Sequence, residues 1–297
     1  MAIVVEGEEV SKAEGTQGGF RIKNLGQILR STPGKIALAG AILSIGSIVV
    51  VALAPVLAPG DPNREFALLQ TPTSTHLFGT DFLGRDIFAL TLYGGKIPFL
   101  VGALSTLISG VVGIILGLIF GYRGGNSEKV MTVIMDSLYA FPGLILAMLL
   151  TAVLGPSIVN TSLAVSFVFV PAFFRTIRSN VVTVKQMPYV EAAVCLGAKQ
   201  RTVLYRYILP NVLPSIPILA SFTFGFAILT QSALSFLGIG FPLTVPDWGT
   251  MLSYGSVYVL AGKWWVVFFP GVAIMIVVLG FSLLGEGLQE IYNPATN

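Results

Sequence analysis

The sequence predicts an all-α protein that crosses a membrane six times, and three observations carry that prediction. More than half of the 297 residues are apolar and only 10% are charged, with a mean hydropathy of +0.85, a balance suited to hydrocarbon rather than water. Six apolar stretches reach or approach the roughly 20 residues that a helix needs to cross a hydrocarbon core about 30 Å thick. The basic residues, finally, gather on alternate sides of those stretches.

The spans fall at about 36–58, 97–121, 130–154, 158–174, 212–237 and 264–284. Asp136 is the only charged residue inside them. The fourth span is short and carries Pro171 near its end, so it is expected to tilt little or to unwind there. Residues 1–35 read as a polar tail and juxtamembrane segment. Glu6, Glu8, Glu9 and Glu14 stand where a secretory signal would be basic. The stretch 20–30 mixes Arg21, Lys23 and Arg30 with apolar residues, which suits a helix lying on the membrane surface or a plain basic linker. Residues 36–96 hold the first span and an external loop, 97–290 a five-helix core, and 291–297 a second tail.

Orientation follows from charge. With the N-terminus in the cytoplasm, Lys12, Arg21, Lys23, Arg30, Lys35, Arg123, Lys129, Arg175, Arg178, Lys185, Lys199, Arg201 and Arg206 lie inside, and only Arg64, Arg85, Lys96 and Lys263 outside. Both termini are then cytoplasmic. External loops fall at about 59–96, 155–157 and 238–263, and internal loops at 122–129 and 175–211.

Several function classes lose their support at this stage. A net charge of +3 over this length offers no surface for nucleic acid. Cys195 and His76 are each the sole residue of their type, so an internal disulfide, a cysteine zinc site and a redox pair are not expected, and His76 reads as a loop residue. No Gly-x-x-x-x-Gly-Lys-Ser/Thr loop occurs, so ATP hydrolysis is not expected of this chain, and no nucleophile and base pair lies at membrane depth for an intramembrane enzyme.

The internal loop 175–211 is long for a connector. Pro188 can open a helix, Glu191 favours its first turn, and Gly197 can turn the chain sharply, which gives two short helices. Ala192, Ala193 and Ala198 permit close approach of a partner, while Lys199, Arg201 and Arg206 keep the second helix at the wet interface. The shape is that of a knob made for a groove.

Other features have packing explanations. Gly110, Gly113, Gly117 and Gly121 put a small-residue stripe on one face of the second span. Asp81, Arg85 and Asp86 read first as ion pairs and turn hydrogen bonds within the external loop, with Gly79 and Gly84 allowing the turns, and second as substrate contacts. Asp136 either pairs with Arg123, Arg175 or Arg178 or lines an aqueous pathway, and the pair is the favoured reading.

Glu191-Ala192-Ala193, three residues and then Gly197, followed by Leu209-Pro210-Asn211, resembles the EAA loop of ABC importer permeases. For the triplet alone, a good helix former in an amphipathic loop is the commoner explanation; the spacing to Gly197 and Pro210 is what makes the likeness specific. The resemblance to the C-type subunit of dipeptide and oligopeptide importers runs along most of the chain after residue 36. It includes His76-Leu77-Phe78-Gly79-Thr80-Asp81-Phe82-Leu83-Gly84-Arg85-Asp86, Gly121-Tyr122, Phe141-Pro142, Ala233-Leu234-Ser235-Phe236-Leu237-Gly238, Trp248-Gly249-Thr250-Met251-Leu252, and Gly285-Glu286-Gly287-Leu288 with Asn293-Pro294. Tyr207, Lys96 and Pro98 depart from the family's pattern.

The resemblance implies a type I ABC importer permease fold and half of a translocation pathway. It also implies partners: a homologous second permease, two cytoplasmic ATPase subunits that bind the ATP and magnesium, an external substrate-binding protein, and the membrane lipid. Residues 191–197 would be the coupling helix, with Ala198 beside it and Leu209, Pro210 and Asn211 supporting the loop. Cargo stays open between peptides, oligosaccharides and nickel. An ion-coupled secondary transporter is the competing class, and the sequence lacks the paired broken helices and intramembrane proton relay that such a transporter uses.

Overall fold

The computed structural model describes residues 31–292, and every regular element among them is a helix. The tail, the basic stretch 20–30 and Asn293-Pro294 lie outside the described residues. The first helix, α1, covers Thr32–Ala52 and is capped by Ser31, whose Oγ accepts the Gly34 N–H at 3.2 Å. Then come α2 (Ile87–Gly94), α3 (Lys96–Arg123), α4 (Gly125–Ala140), α5 (Gly143–Leu154), α6 (Ile158–Lys185), α7 (Pro188–Cys195), α8 (Ser215–Phe236), α9 (Trp248–Val259) and α10 (Trp265–Tyr292). By length and composition α1, α2 with α3, α6, α8 and α10 can each cross a membrane, and α4 with α5 make a sixth crossing only as a bent pair.

The third span expected over 130–154 is this bent pair, beginning at Gly125 and broken at 141–142. Phe141 is extended (φ −77°, ψ 137°), and α4 and α5 meet at 90°. The physical reason is Pro142, whose ring drives the preceding residue out of the helical region. Pro171 behaves in the opposite way to its expectation: α6 runs unbroken for 28 residues with Pro171 inside it. Phe173, Phe174, Ile177 and Val181 beyond the proline are all fully buried or nearly so, and that packing outweighs the lost backbone hydrogen bond. Pro98, in the first turn of α3, interrupts nothing, because the N–H groups there have no helical partner to lose.

The glycine stripe of α3 lies against α6, the most extensive helix pair of the fold. A side chain at Gly113 would overlap Phe173 Cβ, at Gly117 it would come within 2.8 Å of Ile177 Cβ, and at Gly121 within 3.1 Å of Val181 Cβ. A second glycine seam joins α1 to α10, where Gly40 meets the backbone of Leu284 and Gly287 that of Ala37. Apart from that seam α1 is scarcely covered, and Ile42, Ile45, Ile48 and Val49 point outward, a surface acceptable in hydrocarbon and not in water.

The segment before α2 is held by a buried ion pair. Arg85 donates from Nε to Asp81 Oδ2 at 2.8 Å and from Nη1 to the carbonyl of Leu243 at 2.7 Å, while Asp81 Oδ1 accepts the N–H groups of Leu83 and Arg85. Gly84, at φ +79°, makes the turn between them. Asp86 caps α2 through the N–H groups of Phe88 and Ala89, and its other oxygen lies 2.7 Å from His76 Nδ1. The first reading of these residues, a loop tied together, is the one this geometry describes. With both side chains under one-tenth exposed, Arg85→Ala leaves Asp81 buried and unpaired and should cost about 3–5 kcal/mol. A melting curve that moves by less than the equivalent of about 1 kcal/mol would contradict it.

Asp247 joins α8 to α9. Fully buried, it caps α9 by accepting the N–H and Oγ1–H of Thr250, each at 3.0 Å, and takes a third hydrogen bond of 3.0 Å from Gln231 Nε2 on α8. Burial pushes its carboxyl above the usual 3.8, against the lowering effect of those hydrogen bonds. An unfolded chain ionises this group more readily than the folded one, so its contribution to stability is complete below 3.8 and is lost as pH rises through the folded value. Asp247→Asn should flatten that part of the pH–stability profile, and an unchanged slope in thermal melts would refute the assignment.

Candidate functional site

The loop between α6 and α8 is a small packed body. Its core is Val190, Val203, Ile208 and Val212 set against Ile177, Val181 and Val184 on the C-terminal third of α6. The helix α7 starts at Pro188 in its first turn, where a missing N–H is harmless, and carries Glu191 in that same turn, where the helix dipole favours a carboxylate. It ends at Gly197, which takes φ +82°, a left-handed value that side chains resist.

The rest of the loop is shaped by Pro210. Residues Val203–Ile208 form a π-helical turn directly ahead of a last short helix, Leu209–Val212. Pro210 can neither donate a hydrogen bond nor let the preceding turn close tightly, and the wider turn makes room for its ring. Asn211 Nδ2 donates to the carbonyl of Tyr207 at 2.6 Å, pairing a group in the same irregular stretch. Residue by residue, Ala193 is buried, Ala198 is half-buried against the loop's core and Leu209 is half-buried, while Glu191, Ala192, Gly197, Pro210 and Asn211 are exposed. A side chain built at Gly197 would meet nothing within 4 Å. Leu196 is 88% exposed, and Tyr189 and Val194 of the same helical segment are also exposed, so α7 and its end present apolar groups at the surface of the described residues.

Asp136 on α4 faces Arg175 on α6, with Oδ1 3.4 Å from Nε. Arg178 turns instead to Glu128, its Nε donating to Oε1 at 2.6 Å. Of the three arginines weighed for Asp136 in sequence, the structure therefore brings Arg175 to it and gives Arg178 a partner that sequence reasoning missed. Spacing held the missing signal: Glu128 lies eight residues before Asp136, close to two helical turns, but it sits outside the apolar run that defines the span. Among the described residues no group of three or more His, Cys, Asp or Glu side chains is arranged to hold a metal ion.

Residues 113–297 match the family model of the binding-protein-dependent transport system inner membrane component. The chain belongs to this family. This transport component is 38% identical to the dipeptide transport system permease protein DppC of Alkalihalophilus pseudofirmus, over 88% of its own length and 86% of the relative's. It is 38% identical to the glutathione transport system permease protein GsiD of Pectobacterium atrosepticum, covering 87% of each chain. With the probable D,D-dipeptide transport system permease protein DdpC of Escherichia coli it shares 35% identity across 94% of its length and 93% of the other's. Those relatives are transport permeases, and this chain is a membrane-embedded transport permease too.

Proposed function

We propose that this permease is one membrane half of an ATP-driven importer for dipeptides and oligopeptides. The observation that carries the reading is α7, a helix fixed from behind by Val190 and Ala193 and bare in front at Glu191, Ala192 and Leu196. A transport component with no phosphate loop in its sequence draws its energy from elsewhere, and a rigid protruding helix is how a movement made by another subunit can be received. Two cytoplasmic ATPase subunits, which hold ATP and magnesium, take α7 of this chain and its counterpart from a homologous second permease. Closure of the ATPases then turns the two permeases from inward-open to outward-open, and an external binding protein delivers cargo between them. Both termini face the cytoplasm, on the charge distribution. The peptide assignment leans on the names of the relatives, which speak of dipeptides, glutathione and D,D-dipeptides.

The deciding experiment uses the complete complex in vesicles, purified with its binding protein. Uptake is expected to require ATP and to persist when ionic gradients are collapsed; uptake that follows the gradients and ignores ATP would establish a secondary transporter instead. Candidate cargoes are ranked by how far each raises the melting temperature of the binding protein. A shift given by an oligosaccharide or by nickel, and by no peptide, would remove the peptide assignment while leaving the importer intact.

A further inference from the structure

We propose that Glu128 and Arg178 are positioning residues that carry the movement of α7 to α4, and that α4 swings as an inner gate about the break at Phe141 and Pro142. The proposal rests on the reading of α7 as the helix that receives the motor's movement.

The first support is mechanical continuity. The C-terminal third of α6 leads directly into α7, and the two are one packed body through Val190, Ile177, Val181 and Val184. Interiors packed in this way transmit displacement instead of absorbing it. On its flank this body holds the end of α3, where Lys185 Nζ donates to the carbonyl of Tyr122 at 2.8 Å. Through Arg178 it also holds the first turn of α4, since Glu128 is an α4 residue.

The second support is that α4 has a hinge at each end and little core of its own. Gly124 precedes it and Gly125 opens it, with φ of +68° and +70°, values that glycine adopts freely. The extended Phe141 and Pro142 follow it, with the 90° turn into α5. Between those hinges Met135 is its one buried residue. Side-chain contacts to α6 therefore decide where α4 sits. The two ion pairs contribute unequally to that placement, because Glu128 and Arg178 are 15% and 33% exposed, whereas Asp136 and Arg175 are 48% and 51% exposed and stand 3.4 Å apart. The exposed pair is the longer and looser of the two, and the shielded Glu128–Arg178 pair keeps its direction. Each body that α7 moves thus pulls the start of α4, and the slack lies at Phe141.

Three measurements on the complete complex in nanodiscs test this. A bifunctional reagent attached at Cys195, the exposed thiol of α7, should capture an ATPase subunit; failure to capture it undermines the reading of α7 and not the gate. Spin labels carried on ketone-bearing residues at positions 129, 149 and 183 leave Cys195 untouched. The 129–183 distance, from α4 to α6, is expected to stay constant between the nucleotide-free and ATP-bound states, while 129–149, from α4 to α5, changes by several ångströms. A changing 129–183 distance, or an unchanging 129–149 distance, overturns the gate even where capture succeeds. In the third, Glu128→Gln should lower uptake about tenfold relative to the ATP consumed, within the usual range of a coupling energy, and the double exchange Glu128→Arg with Arg178→Glu should recover most of it. No loss in the single variant, or no recovery in the double, counts against a directed ion pair. A variant that does not assemble leaves the distances in the native sequence to decide.

Discussion

Gly197→Asp is expected to abolish coupled uptake while the permease still folds and inserts. Gly197 ends α7 at φ +82°, so a side chain there costs about 1–2 kcal/mol of backbone strain. Because nothing in this chain lies within 4 Å of the added carbon, no core is overfilled. The damage falls instead on the face that a partner would occupy, where a carboxylate beside Leu196 is both bulky and charged. Asn at the same position, which tolerates left-handed geometry without a charge, should lose much less. The measurement is ATP consumed per peptide taken up, with surface expression and melting temperature as controls. Unchanged coupling in Gly197→Asp, and also in Glu191→Lys, would remove α7 from the transmission path.

Gly113→Leu should have the larger effect on the protein itself. Its first side-chain carbon would overlap Phe173 Cβ and approach the carbonyl oxygen of Val170 at 3.0 Å. Neither atom is the free end of a flexible side chain, so α3 and α6 must part along their length. Overpacking a core ordinarily costs about 1–3 kcal/mol; separating two 28-residue helices forfeits contacts from Gly110 to Gly121 and goes beyond that. The expected result is loss of monodisperse protein after solubilisation. Gly46→Leu on α1, where an added carbon meets nothing within 4 Å, is the matched control and should purify normally. Equal yields from the two would mean that the glycine stripe does not set the α3–α6 distance.

Much of this architecture was legible in the sequence because hydropathy reports what a membrane demands of each segment. The spans near 97–121, 212–237 and 264–284 coincide with α3, α8 and α10 to within a few residues at most ends. What hydropathy cannot register is direction: 130–154 is continuously apolar after its start, and the turn at Phe141 is invisible to it although the proline announced it. Pro171 shows the converse, since only the buried Phe173 and Phe174 explain why the helix survives there. The helix α9 was hidden by composition. Trp248, Gly249 and Thr250 look like loop, yet Gly249 is what lets α9 lie against the backbone of Ser232, and Asp247 three residues before Thr250 was the cap signal. In the candidate site, Pro188, Glu191 and Gly197 marked the limits of α7 by their chemistry. The π-helical turn before Pro210 arises from a backbone mismatch that no residue type encodes alone, and the Glu128–Arg178 pair depends on how two helices cross.

The thin cover of α1 bears on how the protein is made. Its most apolar window has a mean hydropathy of 2.2 with 11% of its residues buried, against 1.5 and 1.6 with half buried for α8 and α6. A segment of the first kind partitions into the bilayer on its own account, whereas the other two give up more polar surface than lipid alone rewards and are stabilised chiefly by neighbours. Biogenesis should accordingly proceed in two phases, with α1 committed to the bilayer as it leaves the ribosome and α6 and α8 settled last, when α3 packs against both and α10 against α8.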